Sequence, residues 1–291
     1  MNSPAALFAI AALIWGSTWL AITFQLGVVE PEVSVVYRFA LAAAILFVWC
    51  GVRGQRLRFQ PRTHAWLALQ GSTLFGLNYV GVYLAERYVA SGLVAVAFST
   101  LVFVVPIGAR LAFGTPVQAR VAVGAMIGVV GIASMFLPEL RVAAVGGTAA
   151  LGVAFALGST VIAAIGNLVT VRLQRDKVPT LSGTAWGMGY GALTAAALAW
   201  TGGSPWTFDW SFAYVASLVY LSVFGSIIAF GTYFKLIEHV GANRASFTAV
   251  AIPVVAMALS TVFEGYRWTT TAALGAALAF AGNYLALTAK R

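Results

Sequence analysis

Few side chains of this 291-residue chain could do chemistry, and none has the spacing of a catalytic centre. The sequence contains no HExxH zinc motif, no phosphate-binding Gly-Lys-Ser loop and no membrane-aspartate motif. One cysteine excludes an intrachain disulfide, and His64 and His239 fall at helix ends, where we expect them to be solvated. We therefore expect no catalytic residues, no bound metal and no cofactor.

Uncharged polar and aromatic side chains instead gather near the centres of the apolar segments. Amide and hydroxyl groups can orient the polar end of an organic molecule, while aromatic rings stack against its apolar part. Such a lining suits a small amphipathic molecule better than a bare ion. The candidate substrate-binding residues are Trp15, Thr18, Asn78, Tyr79, Tyr83, Ser99, Ser159, Asn167, Trp186, Tyr220 and Phe224.

The two asparagines, Asn78 and Asn167, are the strongest members of this set. A side-chain amide in hydrocarbon needs several hydrogen-bond partners and rarely faces lipid. For each serine or threonine, a hydrogen bond to its own helix backbone is the competing interpretation.

Arg38 is the one basic residue well inside an apolar segment, about five residues from its start. A charge at such a depth costs on the order of 3 kcal/mol. Two interpretations stay open. Arg38 is either a functional charge, or it extends to the outer surface beside Glu30 or Glu32, which a long side chain can reach.

None of the eight acidic residues lies at the centre of an apolar segment, so no intramembrane carboxylate is predicted to bind a proton or sodium ion. Glu86 and Glu264 come closest, each near an outer helix end with Arg87 or Arg267 nearby. We expect both to be ordinary interface charges.

Composition places the chain in a membrane, because 61% of its residues are hydrophobic, 9% are charged and the mean hydropathy is +0.91. A bilayer needs about 20 apolar residues per helix. Ten such runs are predicted, at residues 4–24, 33–51, 64–84, 89–111, 117–137, 147–171, 180–200, 211–234, 243–262 and 268–288. The first begins close to Met1 without a preceding basic residue, which favours a retained helix over a signal peptide. Pro106 and Pro253 are predicted to kink the fourth and ninth runs and are candidate hinges.

The positive charges indicate the orientation of these helices. If the N-terminus is cytoplasmic, 13 of the 17 basic residues lie in inner loops or the C-terminal tail, and six of the eight acids lie outside. Since basic residues concentrate on the cytoplasmic side, both termini are predicted to be cytoplasmic. The net charge of +9 thus indicates membrane orientation and not nucleic-acid binding.

The chain also reads as two copies of one unit. Shifting residues 89–131 by 151 positions aligns glycines and valines with residues 240–282, and Gly16-Ser17-Thr18 matches Gly158-Ser159-Thr160. We predict a first repeat at residues 1–138 and a second at 139–291. Five helices in each repeat would give the two copies opposite topology, an arrangement typical of alternating-access transporters.

The fifth and tenth helices carry glycines on one face. Gly124, Gly128 and Gly131 form one such face, and Gly275 and Gly282 the other. Small residues let helix backbones approach closely in lipid. Packing within the chain is the favoured interpretation, and a dimer face is the alternative.

Three stretches resemble EamA-type members of the drug/metabolite transporter superfamily. They are residues 12–18 ending in Trp15-Gly16-Ser17-Thr18, residues 37–44 beginning Tyr37-Arg38-Phe39, and residues 251–253 leading to Glu264-Gly265 and Gly275. The resemblance covers essentially the whole chain. Within the family, the chain most resembles bacterial YddG-type aromatic amino-acid exporters. It implies ten helices in two inverted five-helix repeats and export of amino acids or related metabolites. The repeats have diverged, because Phe113 stands where the second has Glu264.

The sequence therefore predicts an all-α integral membrane protein that exports amino acids and related small metabolites across a bacterial inner membrane by alternating access. Its expected partners are the substrate and the lipid bilayer, not nucleic acid, and it is expected to work as a monomer. A nucleoside, nucleotide-sugar or multidrug carrier of the same fold is the alternative. Proton coupling and facilitated diffusion both stay open, and the absence of a central carboxylate favours the latter.

Overall fold

The computed structural model describes residues 3–114, 116–143, 148–240 and 248–288, and the regular secondary structure in those ranges is helical throughout. Two π-helical segments interrupt the α-helices: π1 spans Gly71–Leu77 and π2 spans Tyr220–Ile228. The α-helices are α1 Pro4–Thr23, α2 Pro31–Val52, α3 Pro61–Gln70, α4 Asn78–Glu86, α5 Ser91–Phe98, α6 Leu101–Phe113, α7 Ala119–Ala143, α8 Ala149–Arg175, α9 Thr180–Gly202, α10 Phe212–Val219, α11 Ala229–Val240, α12 Thr248–Phe263 and α13 Thr270–Leu287.

Local sequence explains where several helices begin and end. Helices α1, α2 and α3 each start at a proline, whose fixed φ and missing N–H suit the first helical position. The side chains of Ser211 and Thr269 cap α10 and α13 by accepting from backbone N–H groups three residues on. Helices α6 and α9 end at Gly114 and Gly203, both left-handed at φ of about 70°.

Each of the ten predicted apolar runs overlaps a helix in the described ranges. Six stretches there are long and apolar enough to cross a membrane, and α12 is a shorter apolar helix. The six are Pro4–Thr23, Pro31–Val52, Ser91–Ala112, Ala119–Leu137, Ala149–Arg175 and Phe212–Tyr233. The all-helical, membrane-spanning class is thus confirmed. A total of ten spans and the positions of the termini stay predictions, and the first part of the ninth run, residues 243–247, lies outside the described residues.

Helices α7 and α13 pack along their glycine faces. A Cβ atom on Gly131 would lie 2.5 Å from the Gly275 carbonyl oxygen, and one on Gly124 would lie 2.6 Å from the Gly282 carbonyl oxygen. Contacts this close require glycine on both helices. Packing within the chain is therefore confirmed as the role of these faces.

The core lies where helices from the two ends of the sequence meet. Helix α2 packs against α9, α1 against α12 and α11, and α4 against α8. Phe39, Tyr83, Met188 and Leu221 are fully buried members of the shared hydrophobic cluster. Because neither half has a separate core, the interior of the protein is an interface between them.

Candidate functional site

Arg38 lies deep in the protein interior, on α2. Its residue is 1% exposed, and its guanidinium sits 4.5 Å from the ring centroid of Tyr79 and 5.1 Å from that of Phe39. Such contacts stabilise a cation through the electron-rich faces of the rings. The Nε and Nη1 atoms have no hydrogen-bond partner among the described residues.

The alternative in which Arg38 extends to the surface is wrong. Glu30 instead binds Arg87, with 2.7 Å between an arginine Nη2 and a carboxylate oxygen, and Glu32 accepts a hydrogen bond from Ser204. The two carboxylates that a surface-reaching Arg38 would meet therefore have other partners. The guanidinium stays inside because the ring faces and the π2 segment surround it.

Buried polar groups from the turn after α1, from α2 and from α4 lie around Tyr83, which is fully buried. The Tyr83 hydroxyl donates to Gln25 Oε1 over 2.7 Å. Tyr79, Tyr83 and Glu86 share one face of α4 at i, i+4 and i+7, with the Arg38 guanidinium packed on Tyr79. Glu86 is 8% exposed, and both of its carboxylate oxygens lack a hydrogen-bond partner among the described residues. The expectation that Glu86 is an ordinary interface charge is therefore wrong.

The second half of α1 meets π2 through several polar contacts. The Trp15 indole nitrogen donates to the Gly225 carbonyl over 3.2 Å, and the Ser17 and Tyr220 hydroxyls are 2.6 Å apart. Thr18 is buried and donates to its own helix, at the Trp15 carbonyl. A π-helical turn displaces backbone carbonyls from their usual partners, so a carbonyl such as that of Gly225 can accept from another helix.

The π2 segment also reaches Arg38. Ser222 donates to the backbone carbonyl of Arg38 over 3.1 Å, and a Cβ on Gly225 would lie 3.6 Å from Arg38 Nη2. The Tyr220 ring stacks on Phe224 at 5.4 Å, and Phe224 is 42% exposed. The nearest atom to a Cβ on Gly225 would be Thr18 Cγ2, at 2.7 Å, so glycine at position 225 lets π2 pack closely on α1.

A cavity of about 220 Å³ opens among α3, α8, α9 and α11. Asn167 lines it, donating one amide hydrogen to its own helix at the Ala163 carbonyl. Gln70 lines it as well, and donates to Thr170 over 2.7 Å while its Oε1 has no partner among the described residues. The cavity therefore combines apolar walls with amide groups that can orient a ligand.

Aromatic rings connect this cavity to Trp15 and Arg38. Phe75 lines the cavity and packs 5.5 Å from Phe39, which packs 4.8 Å from Tyr79. On the opposite wall Phe230 and Tyr233 lie 5.1 and 5.2 Å from Trp15, ring centroid to ring centroid. The Phe75 and Phe39 rings thus stand between a molecule in the cavity and the buried arginine.

Other predicted site residues contact different parts of the protein. Ser99 lies at the junction of α5 and α6, which the sequence predicted as one continuous helix, and accepts a hydrogen bond from Asn283 over 2.9 Å. Ser159 donates to the backbone of its own helix, and its Cβ lies 3.0 Å from where a Cβ on Gly81 would be. These two serines tie helices together.

Trp186 and Asn78 also have specific partners. The Trp186 indole donates to the Leu57 carbonyl over 3.0 Å and packs 4.6 Å from the His64 ring, so it belongs to the loop before α3 and not to the Arg38 group. His64 in turn bonds Tyr190, so it is not simply solvated, whereas His239 is exposed as expected. Asn78 is buried beside Tyr79 and donates to the Leu74 carbonyl, with its Oδ1 unpartnered among the described residues.

Sequence reasoning missed Gln25, Gln70 and Asn283. Each is an amide with a buried polar atom that finds no partner in the described ranges. The signal that would have found them is the one applied to Asn78, an amide within or beside an apolar run.

Glu264 joins α12 to the start of α5. It accepts from the Ser91 hydroxyl over 2.6 Å and the Ser91 backbone N–H over 3.2 Å, and it also accepts from Ser260. The Gly92 N–H donates to Ser260 Oγ over 2.8 Å. Since α5 has no side-chain cap of its own, the carboxylate supplies one from the second half of the chain. Glu264 was expected to be an ordinary interface charge, and the structure shows that its carboxylate links α12 to α5.

The arrangement supplies charged, amide and aromatic groups that can bind a small molecule. Within the described ranges no group of three metal-ligating side chains converges. Pro106 lies inside α6 and Pro253 inside α12, as predicted.

Comparison with known proteins identifies the class. The EamA-like transporter family matches residues 2–137 and again residues 150–288. Protein PagO of Salmonella typhimurium is 24% identical over 98% of this chain and 92% of its own length, and the uncharacterized transporter YoaV of Bacillus subtilis is 22% identical over 94% and 92%. The uncharacterized inner membrane transporter YedA of Escherichia coli is 29% identical over 89% and 82%.

A solved crystal structure supports the same fold. It superposes with a TM-score of 0.66 over 98% of this chain and 96% of the other, at 19% sequence identity. Likeness to YddG in particular is not among these findings. The two family matches together span nearly the whole sequence, so this chain belongs to the EamA-like transporter family and is a multi-pass membrane transporter.

Proposed function

We propose that this transporter exports amino acids and related small metabolites across a bacterial inner membrane by alternating access. The observation that carries the proposal is the buried polar and aromatic group around Arg38, which lies between the two halves and is separated from an open cavity by the Phe75 and Phe39 rings. Its charged, amide and aromatic groups suit a small molecule with a polar end and an apolar body. A nucleoside or drug carrier of the same fold is the alternative.

The contacts between helices support two repeats of opposite topology. If residues 1–138 and 139–291 are the repeats, α1 corresponds to α8, α2 to α9, and the α5–α6 pair to α12. The α1–α12 contact then corresponds to α8 with α5 and α6, and α2–π2 corresponds to α9–π1. This reciprocal pairing is what a twofold axis in the membrane plane requires.

The π-helical segments give a second, independent sign of duplication. One π segment interrupts the third predicted run and the other interrupts the eighth, which is its counterpart in the second repeat. π-Helical turns are rare and frequently occur at functional sites. Their recurrence at equivalent helices favours a shared ancestral unit.

The charge pattern supports an orientation with both termini in the cytoplasm, because it leaves 13 of 17 basic residues on the inner side. In that orientation the cavity beside Gln174 and Pro179 faces the cytoplasm. The contact of Glu264 with Ser91 then closes the opposite side. The described conformation is thus inward-facing, and export would require this contact to open, with Pro106 and Pro253 as candidate hinges. A bacterial inner-membrane location also agrees with the relative YedA, which is named an inner membrane transporter.

Counterflow in proteoliposomes tests the proposal. Purified protein is reconstituted with a high internal concentration of unlabelled amino acid, and entry of the labelled molecule is followed for aromatic, aliphatic, hydroxylated and charged members of a panel. Exchange of neutral members, absent from protein-free liposomes, is expected. A folded protein that exchanges none of them, but exchanges a nucleoside or a cationic drug, would favour the alternative. A pH gradient that drives uphill movement would indicate proton coupling.

A further inference from the structure

Around Tyr83, the buried polar atoms that have no hydrogen-bond partner among the described residues include both donors and acceptors. Two side chains present donors, Arg38 through Nε and Nη1 and Gln25 through Nε2. Glu86 presents two acceptor oxygens. Tyr83 lies between them: its hydroxyl donates to Gln25, and on its face of α4 it stands between Tyr79, where the Arg38 guanidinium packs, and Glu86. Buried polar atoms in native proteins are almost always paired, so these donors and acceptors are suited to bind a ligand.

We propose that Arg38 and Glu86 bind the two charged ends of a zwitterionic substrate, with the carboxylate at Arg38 and the ammonium group at Glu86. The inference rests on the proposed function, since it assigns the substrate's charges at the same site. It restricts the substrate class to molecules that carry both a free carboxylate and a free ammonium group. A nucleoside or a purely cationic drug fails this requirement.

Arg38 and Glu86 do not satisfy each other's unpaired atoms by forming a direct ion pair. No nitrogen of Arg38 lies within salt-bridge distance of a carboxylate oxygen in the described part of the chain, where the ion pairs are Arg87 with Glu30 and Arg172 with Asp176. Arg38 and Glu86 therefore both keep buried polar atoms without a hydrogen-bond partner among the described residues, which is costly. A zwitterion placed between them supplies a partner of the correct sign to each.

The neighbouring rings select the rest of the molecule. Tyr79 and Phe39 cover the guanidinium and pack toward Phe75 at the cavity wall. A substrate whose carboxylate binds Arg38 would rest its apolar side chain against these rings. Passage from the cavity to Arg38 requires the Phe75, Phe39 and Tyr79 rings to turn aside.

The test compares zwitterions with derivatives that lack one charge. Leucine and phenylalanine compete with labelled leucine for counterflow, beside their methyl esters, which lack the carboxylate, and their N-acetyl derivatives, which lack the ammonium group. We expect each derivative to compete at least about tenfold more weakly than its parent. This series uses the unaltered protein, so it does not depend on a variant folding.

Variants assign each charge to its residue. Arg38→Gln is expected to remove the preference for leucine over its methyl ester, and Glu86→Gln the preference for leucine over N-acetylleucine. Arg87→Gln, which alters an exposed pair, serves as control and should keep both preferences. Equal competition by esters and parents would overturn the charge assignment while leaving amino-acid transport intact. Failure of every amino acid to exchange would instead overturn the proposed function and this inference with it.

Discussion

Replacing Gly131 by alanine gives a sharp test of how α7 and α13 are held together. The added Cβ would lie 2.5 Å from both the Ala279 backbone nitrogen and the Gly275 carbonyl oxygen. These are backbone atoms of a helix, so no side-chain rotation can make room. The two helices must move apart by roughly 1 Å to reach ordinary contact distance, and neighbouring glycine contacts loosen with them.

The expected cost is about 1–3 kcal/mol of unfolding free energy, the usual range for an overpacked interior. Alanine favours a helix over glycine by about 1 kcal/mol, which offsets part of the loss. Gly158→Ala is the matched control, because Gly158 also lies within a helix and a Cβ there meets no atom within 4 Å. That variant should be neutral or stabilised by up to about 1 kcal/mol.

Equilibrium unfolding of the purified variants in one detergent, followed by helical circular dichroism, compares the two directly. The double variant Gly131→Ala with Gly275→Ala should cost less than the sum of the singles, because both methyl groups separate the same pair of helices. Unfolding of Gly131→Ala at the same denaturant concentration as Gly158→Ala would refute the packing argument.

Three further outcomes are expected. Glu264→Ala removes the carboxylate that caps α5, so hydrogen exchange at the Ser91 amide should speed up at least about tenfold, and an unchanged rate would show that the contact does not hold this end. Trp15→Phe keeps a ring but loses a hydrogen bond to π2, which should lower the unfolding free energy by about 1 kcal/mol. A decrease no larger than that caused by replacing an exposed tryptophan with phenylalanine would contradict this prediction. Arg87→Gln should cost under about 1 kcal/mol and lose its effect in high salt, since its pair with Glu30 is partly exposed.

The sequence predicted the helices because each apolar run is bounded by proline, glycine or charge. From glycine spacing it also predicted that the fifth and tenth runs pack closely within the chain, and the structure shows that α7 and α13 are each other's partners. Helix periodicity could not predict the π segments or the junction at Ser99 and Thr100, because these depend on how a helix meets its neighbours.

Side-chain placement was harder to predict than helices. The sequence allowed Arg38 to be either buried or extended to the surface, because its depth in the apolar run is compatible with both. In the structure, the rings of Tyr79 and Phe39 hold its guanidinium in the interior. Glu86 was misassigned because Arg87 is adjacent in sequence, yet consecutive helix residues point in different directions. Trp186 joined the central set on its position along the helix, while its indole binds the loop before α3.

Counterflow of labelled leucine and phenylalanine into proteoliposomes is the measurement that tests the central claim most directly. The account predicts exchange by the wild-type protein, retained in Arg87→Gln and greatly slowed but still measurable in Arg38→Gln, with both variants folded as judged by size-exclusion chromatography. Absence of exchange by folded wild-type protein, or full exchange by folded Arg38→Gln, would contradict it.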